Sequence, residues 1–567
     1  MPGLMDALNI ARTGMAVNRK SMEVTGNNIA NVNTPGYSEQ TAEAKSVPGV
    51  ESEGLTFGQG VNVEEISRAE DIFIEDQLKN AEEKSGRTGA KSAPLAELEQ
   101  VFSVEGDNLA TKMEEFFASW DDLAQNPGGE VERSQVIQRG KNVVSAFDEV
   151  HRKLDTVKSN INASLRSEVE TINSKLGEVA DLNTKIANAE ATGRNAHTAK
   201  DEREMLLRDL SEKAGVNTYK GKNDMVSVAL FGGQVLVQGQ EANQLEYDSD
   251  TNNISVNTGA SKTELGKSDL GGALKGKLQV RDEVLPDVEK QVETLRHDLV
   301  TEVNAQHQKG YGLDGETGRE FFSRDRFVVN DSSKPSPDSI VDTNLTDNSH
   351  IDIDVGSDTQ EIEFNGSHDQ NGDGQLNLQE MRDAINQQQD IGAQASVWKD
   401  DSGGYRLSIA SEDKDENVQV SHDQNLTDIS FSNDEERDAA PYQMEVSITD
   451  TSHVAAGFAP GAPGDNRNAQ EMANLSDQET VNGNFSFVDY YGKISGDVGI
   501  EVNQNQMNKE SSQDSLTQLK NRREAKEGVS LKESMLDLTR YQKGFQAAAQ
   551  YMSKVDQMMQ SLMGVAR

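Results

Sequence analysis

The sequence predicts an α+β multidomain protein: a long-helix coiled-coil or bundle rod formed by both chain ends, with β-rich outer domains inserted in the middle. Three observations carry this. Apolar residues recur at steps of three and four near both termini and through a long internal segment, the period of helices that pack on helices. In the middle of the chain, apolar and charged residues alternate instead, as strands do. Charge is also unevenly spread. The 567 residues carry a formal net charge of −42. Residues 321–450 hold 8 basic and 29 acidic side chains, whereas residues 1–50 hold 4 of each and residues 521–567 hold 8 basic and 5 acidic. A like-charged middle repels its neighbours and stays hydrated, while near-neutral ends lack that protection against association.

At the N-terminal end, Leu4, Leu8, Ala11, Met15 and Met22 share one helical face that only Asn18 interrupts, and NNIANVNTPGY then breaks the helix. Residues 67–92 read as a helix carrying Ile72, Ile74 and Leu78 and ending near Gly86. Residues 107–125 place Met113, Phe116, Phe117, Trp120 and Leu123 on one face, before Asn126-Pro127-Gly128-Gly129. From about Glu132 to Ala191 the stripe Leu154, Val157, Ile161, Leu165, Val169, Ile172, Leu176, Val179, Leu182 and Ile186 predicts a rod-like helix. A further helix is expected over Asp201–Ala214, a hairpin over Met225–Val237 around Gly232-Gly233, and helix again over Leu274–Lys309.

The acidic stretch reads as strands. Ile351 and Ile353, then Ile362 and Phe364, alternate with charge; Ala395 and Val397 face Tyr405, Leu407 and Ile409 across a Gly-rich turn; Tyr442, Met444, Val446 and Ile448 alternate again. Helical spacing resumes after Asp465 until about Lys526. Tyr541, Phe545, Ala548, Met552, Val555, Met559 and Leu562 then keep a 4-3 spacing throughout, extended upstream by Leu531, Met535 and Leu538. Six segments follow: 1–66, an N-terminal axial helix and motif loop; 67–215, a helical bundle rod; 216–320, a hairpin region and returning helix; 321–450, the acidic β-rich outer domain; 451–526, a returning helical segment; and 527–567, a C-terminal axial helix. Each terminal stripe needs a partner, because an isolated apolar face is not stable in water. That partner is either the other end of the same chain or the ends of neighbouring subunits, and spacing alone leaves both open.

Composition excludes several function classes. With no cysteine there is no disulfide framework, thiolate zinc site or cysteine nucleophile. No apolar run is long enough to span a membrane, and the first residues lack the apolar core of a cleaved secretory signal. The net charge argues against nucleic acid and anionic membrane surfaces as partners. There is no HExxH pair, phosphate-binding loop, dinucleotide fingerprint or nucleophile elbow, so no catalytic residue and no organic cofactor is expected, and Trp120 and Trp398 read as packing residues.

Specific stretches carry a resemblance. NNIANVNTPGYSEQ (27–40) resembles the N-terminal signature of flagellar rod, hook and hook-associated proteins, and EGVSLKESMLDLTRYQKGFQAAAQYMSKVDQMMQSLMG (527–564) is similar to their C-terminal coiled-coil segment. The stretches DEREMLLRDLSEKAGV (201–216), VALFGGQVLVQG (228–239), 271–315 and GDNRNAQEMANLSD (464–477) narrow the resemblance to the hook-associated family of the hook–filament junction. Glu39 departs from the basic residue usual there. The resemblance implies a structural protein of the bacterial flagellum, outside the cell, delivered by type III export without cleavage. It implies a ring of roughly eleven subunits closed by repeated contacts, between hook protein on one side and the second junction protein and flagellin on the other, and an export chaperone on the C-terminal helix. The assembly interface is then expected at Leu4, Leu8, Met15 and Met22 with Tyr541, Phe545, Met552, Val555, Met559 and Leu562.

One motif stands apart from the resemblance. Residues 369–380 read DQNGDGQLNLQE, a fit to an EF-hand calcium loop. Asp369, Asn371 and Asp373 take the first three ligand positions and Gly374 the sharp turn. Gln375 offers its backbone carbonyl, Asn377 binds through water, and Glu380 supplies the bidentate carboxylate. Hard Ca²⁺ takes many oxygens, and such a loop converges them on one point. Leu378, Met381, Ala384 and Ile385 predict a helix after the loop, whereas the segment before it reads as strand. The acidic middle also leaves open a different class of function, a secreted calcium-dependent adhesin or carbohydrate-interacting protein.

Overall fold

The computed structural model describes the chain except for residues 1, 53–54, 104–105, 107, 250, 260, 323–326, 331–333, 337, 343–348, 356–357, 366–367, 370–373, 389–391, 400–403, 412–417, 423–425, 427–428, 430, 433–443, 482 and 566–567. Its helices are α1 (Pro2–Asn31), α2 (Ile72–Val101), α3 (Leu109–Gln125), α4 (Glu130–Ala191), α5 (His197–Ala214), α6 (Gly272–Gln279), α7 (Leu285–His307), α8 (Leu378–Asn386), α9 (Arg467–Asn474), α10 (Phe487–Glu527) and α11 (Leu531–Val565). Small antiparallel sheets lie between them, giving the expected α+β multidomain fold with long helices at both ends. The chain divides into two compact units, 1–100 with 156–286 and 498–567, and 101–155 with 287–497.

In the first unit α1 packs along α11, and the strands Gln40–Ser46 and Val61–Arg68 form a hairpin against α1. The expected helix over 67–92 is displaced: Ser67 and Arg68 end a strand, and α2 begins at Ile72 and continues past Gly86 to Val101. Gly86 does not stop the helix. A Cβ there would lie 1.9 Å from the backbone oxygen of Glu212, so the glycine lets α5 approach. Gly276 repeats the device on α6, where a Cβ would lie 2.2 Å from the oxygen of Arg87. The later part of α4 buries its predicted stripe, with Leu165, Ile172, Leu176, Val179 and Ile186 fully enclosed. The hairpin Val226–Leu230/Val235–Gln238 forms around Gly233, whose φ is +89. It is held to α4 by Asn183, which donates to Val226 O at 2.7 Å and Gly239 O at 2.6 Å and accepts from Val226 N at 3.0 Å. The helix expected over Leu274–Lys309 forms with a π-turn at Val280–Val284, between α6 and α7.

The second unit has two cores. One is aromatic: Phe116, Trp120, Phe321 and Phe322 are buried with ring centroids 4.9–6.3 Å apart. Arg133 is buried beside helix α4's start and donates to the carbonyls of Pro127 (2.6 Å) and Val454 (2.5 Å). The run Met444, Val446 and Ile448 is buried and bridges Phe322 at Val446 without forming a strand; Tyr442 lies outside the described residues. The other core lies wholly within 341–429 and gathers Ile351, Ile353, Ile362, Phe364, Leu407 and Ile409. It is enclosed by the sheet Asp358–Glu363/His350–Val355/Val418–His422, the hairpin Ala393–Lys399/Tyr405–Ser411, and α8. Helical structure after Asp465 is interrupted, α9 ending at Asn474 and α10 starting at Phe487.

Candidate functional site: the joined chain ends and an acidic loop

The stripes expected to meet lie on two helices that pack together. Leu4, Leu8, Met15 and Met22 are half-buried along α1; Tyr541, Phe545, Met552 and Met559 are half-buried along α11, and Val555 is buried. At the polar break in the α1 stripe, a Cβ at Gly544 would lie 2.6 Å from Asn18 Oδ1, so the helices approach closely where one has no side chain. Leu562 is exposed, and so are Leu531 and Met535, which therefore do not extend the covered seam. Leu562 shares a face with Tyr551 and Met558, at spacings of seven and four, and this apolar face of α11 is uncovered in the single chain.

The motif loop after α1 is fixed by polar groups. Asn28 is buried on the last turns of α1; its side chain accepts from Tyr37 Oη at 2.8 Å and Gln40 N at 3.1 Å and donates to Gln40 O at 2.8 Å. Burial, with Asp201 and Glu39 nearby, pushes the Tyr37 phenol up to about 12, so it remains a donor. Gly36 turns at φ +78, and a Cβ there would strike Met205 of α5 at 2.6 Å.

Beneath the loop is a buried charge network that the sequence reading missed. Arg68 bonds Asp201 at 2.8 Å and Glu204 at 2.5 Å. Arg208 bonds Glu75 at 3.0 Å. Arg523, near the end of α10, donates to Glu75 at 2.7 Å and to Gly36 O and Ser38 Oγ at 3.1 Å each. Four residues on, Glu527 accepts from Asp71 N at 2.7 Å, while its backbone oxygen accepts from Glu39 N at 2.7 Å. The network thus joins the motif loop, α2, α5 and the α10–α11 joint. Burial opposes the Arg68 charge, but its bonds to Glu204 and Asp201 outweigh that and hold its pKa above the usual guanidinium value. Burial, with Glu75 and Glu204 close by, pushes Glu527 up to about 6 despite Arg523. Asp201, Glu204, Arg208 and Glu527 all sit in stretches singled out above, but those stretches do not show which residues pair. Burial also raises the Glu39 carboxyl, with Glu533 and Asp537 of α11 adding to the effect. The departure to acid at position 39 therefore sets like charges facing one another.

Comparison with known proteins follows the same residues. Residues 8–37 match the flagella basal body rod protein family, residues 95–322 the flagellar hook-associated protein FlgK helical domain, and residues 525–565 the flagellar basal body rod FlgEFG protein C-terminal family. Flagellar hook-associated protein 1 of Escherichia coli (strain K12) is 26% identical over 98% of this chain and 99% of its own length. Over nearly its whole length the chain is similar to flagellar hook-associated protein 1. Flagellar hook-associated protein 1 of Bacillus subtilis (strain 168) is 23% identical over 97% of this chain and 96% of its own. The solved flagellar hook junction protein FlgK from Burkholderia pseudomallei shares the fold, with a TM-score of 0.55 and 17% identity, over 80% of this chain and 100% of that one.

The chain carries the acidic loop in its second unit. Asn371 and Asp373 lie outside the described residues. At the loop's first position, Asp369 Oδ2 accepts from Gly374 N at 2.7 Å, and Gly374 turns at φ +77. Leu376 is buried in a short antiparallel pairing of Leu376–Asn377 with Ile340–Asp342. Asn377 caps α8 through Glu380 N at 2.9 Å, and the buried Glu380 side chain returns the bond from Asn377 N at 3.0 Å. Gln375 is half-buried just before this pairing. The predicted helix after the loop forms with Leu378, Met381, Ala384 and Ile385 all buried, and the preceding segment forms the strand Asp358–Glu363.

Proposed function

We propose that the chain is a structural, non-catalytic component of the hook–filament junction of a bacterial flagellum. Subunits associate through their terminal helices into a ring of roughly eleven, closed by one repeated contact. The observation that carries this reading is the second apolar face of α11: Tyr551 is 49% exposed, Met558 57% and Leu562 51%. These side chains occupy a helix whose other face is already covered by α1, and an apolar stripe of this kind marks a protein-binding surface. Leu4, Leu8, Met15, Met22, Tyr541, Phe545, Met552, Val555 and Met559 then hold the helix pair within one subunit, while Leu562 belongs to the contact between subunits. Hook protein lies on one side of the ring, and the second junction protein with flagellin on the other. An export chaperone engages α11 before assembly, and the protein reaches the cell exterior by type III export. The test is binding of purified chain to isolated hook tips. Tyr551→Asp with Met558→Asp should abolish ring formation and tip binding with the melting temperature unchanged; assembly at wild-type levels overturns the reading.

The acidic loop is proposed as a calcium site, with Asp369, Asn371, Asp373, Gln375, Asn377 and Glu380 as ligands. Support comes from the Asp369–Gly374 bond, which fixes the first ligand position beside the turn, and from the last position, Glu380, standing on the first turn of α8. An affinity in the range of about 10⁻⁴ to 10⁻³ M suits an extracellular module. Calorimetry of the full chain should show one Ca²⁺ site that Glu380→Gln removes; equal heats from wild type and variant reject it.

A further inference from the structure

The strand His350–Val355 lies between two antiparallel neighbours, Asp358–Glu363 and Val418–His422. Strand alternation sends Ile351, Ile353 and Val355 into the core with Ile362, Val418 and Val420. By register, the opposite face carries His350, Asp352 and Asp354, then Thr359, Glu361 and Glu363, then Gln419 and Ser421. Four carboxylates and one imidazole share this face, and none of these paired positions is lysine or arginine. Asp352 stands directly opposite Glu361. Like charges at directly opposed positions destabilise a sheet, so the face as built favours a cation.

The geometry gives that cation a place. One ligand atom each from His350, Asp352 and Glu361 lies within 4.8 Å of the others. The spacing of two residues puts His350 and Asp352 on one side of their strand, and pairing brings Glu361 across from Asp352. Ser421 Oγ stands 3.5 Å from Asp352 Oδ2 on the third strand, close enough to help orient the carboxylate. His350 and Asp352 are half-buried and Glu361 is exposed, so two ligands are held by the sheet while the third closes from solvent.

We propose that His350, Asp352 and Glu361 form a binding site for a divalent transition-metal ion of the Zn²⁺ class. An imidazole with two carboxylates is a nitrogen–oxygen donor set that suits borderline ions. Calcium and magnesium favour all-oxygen shells, so this site is chemically distinct from the loop at 369–380. The ion fastens two neighbouring strands together and neutralises the Asp352–Glu361 pair, with water completing its coordination. The inference stands independently of the junction role proposed above.

Full-length protein is titrated with Zn²⁺ by calorimetry, and with Co²⁺ while its visible absorption is recorded. The wild type should bind one ion saturably, and Co²⁺ should give ligand-field bands. His350→Ala and Glu361→Gln should each weaken binding by about tenfold or more, whereas Glu380→Gln should leave it unchanged. NMR of the histidine side chains in the wild type gives a readout free of substitution: the His350 imidazole signal should shift on adding Zn²⁺. Binding that survives His350→Ala at wild-type strength, binding lost in Glu380→Gln, or an unmoved His350 signal overturns the proposal.

Discussion

Two buried titratable residues make opposite contributions to stability as pH changes. His307 is enclosed in the aromatic core of the second unit, with Nδ1 2.7 Å from Arg319 O and Nε2 accepting from Ala455 N at 3.0 Å. Burial lowers its pKa to about 4. The unfolded chain takes up a proton near the ordinary value of about 6.5 and the folded one does not. Stability from this residue is therefore present above pH 6.5 and lost as pH falls towards 4, by about 3 kcal/mol. Glu527 does the reverse in the first unit. Its folded pKa of about 6 lies above the ordinary value, so its contribution is full below pH 4.5. About 2 kcal/mol is lost as pH rises through 6. Denaturant unfolding followed by probes in each unit between pH 4.5 and 7.5 should show these opposed slopes, with that of the first unit flattened by Glu527→Gln. Parallel slopes would contradict the assignment. Arg523 belongs to the same scale. Arg523→Ala strands Glu527 as a buried carboxylate, leaves Glu75 with Arg208 alone, and should destabilise the first unit by about 3–5 kcal/mol; a melt within error of wild type would show that water replaces the guanidinium.

Among the elements, the glycines where helices cross make the sharpest prediction. Gly86→Ala would place a methyl carbon against the Glu212 carbonyl, which is backbone and cannot rotate away. Separation of α2 from α5 should cost about 1–3 kcal/mol, read as a lower urea midpoint at constant slope, whereas Gly89→Ala, which meets nothing, should be neutral or slightly stabilising. This pair also shows what was legible beforehand. The period of α4 and of α1 and α11 was readable because an apolar stripe is a local property, repeated every turn. The hairpin around Gly233 was readable because its turn chemistry is local too. Gly86 was misread as a helix end because a glycine that breaks a helix and one that admits a neighbour look alike until the neighbour is known. The charge network stayed hidden for the same reason: Glu75 and Arg523 lie 448 positions apart, and among 97 acidic and 55 basic residues no pairing can be chosen from composition. At the acidic loop, spacing proposed Asp369, Asn377 and Glu380 as calcium ligands, but did not show that Asn377 and Glu380 form the cap of α8.

For the whole molecule, the placing of cores redraws the segment that can be removed. Phe321 and Phe322 are fully buried among Phe116 and Trp120, Ser447 N donates to Phe321 O at 2.9 Å, and Phe322 bridges Val446. The flanks of the segment 321–450 therefore serve the aromatic core, and an excision should spare them. Deleting residues 323–443 leaves ends that are neighbours in space, so a short Gly/Ser linker suffices. The shortened chain should keep its helical circular dichroism and hook-tip binding while losing Ca²⁺ uptake. Collapse of the helical signal would mean that the core within 341–429 supports the helices as well as itself.

The interleaving of the two units along the chain also governs when folding can finish. As residues leave a ribosome in order, α1 must wait for α11, and Arg133 must wait for the carbonyl of Val454. Neither unit is closed by any continuous early stretch, so each waits on contacts of large sequence separation, which slow folding. A nascent chain halted before residue 498 has no complete first unit to trap it in a compact state. Its second unit, 101–155 with 287–497, is by then complete. The second unit can therefore close first, and the first only once α11 is in place beside α1.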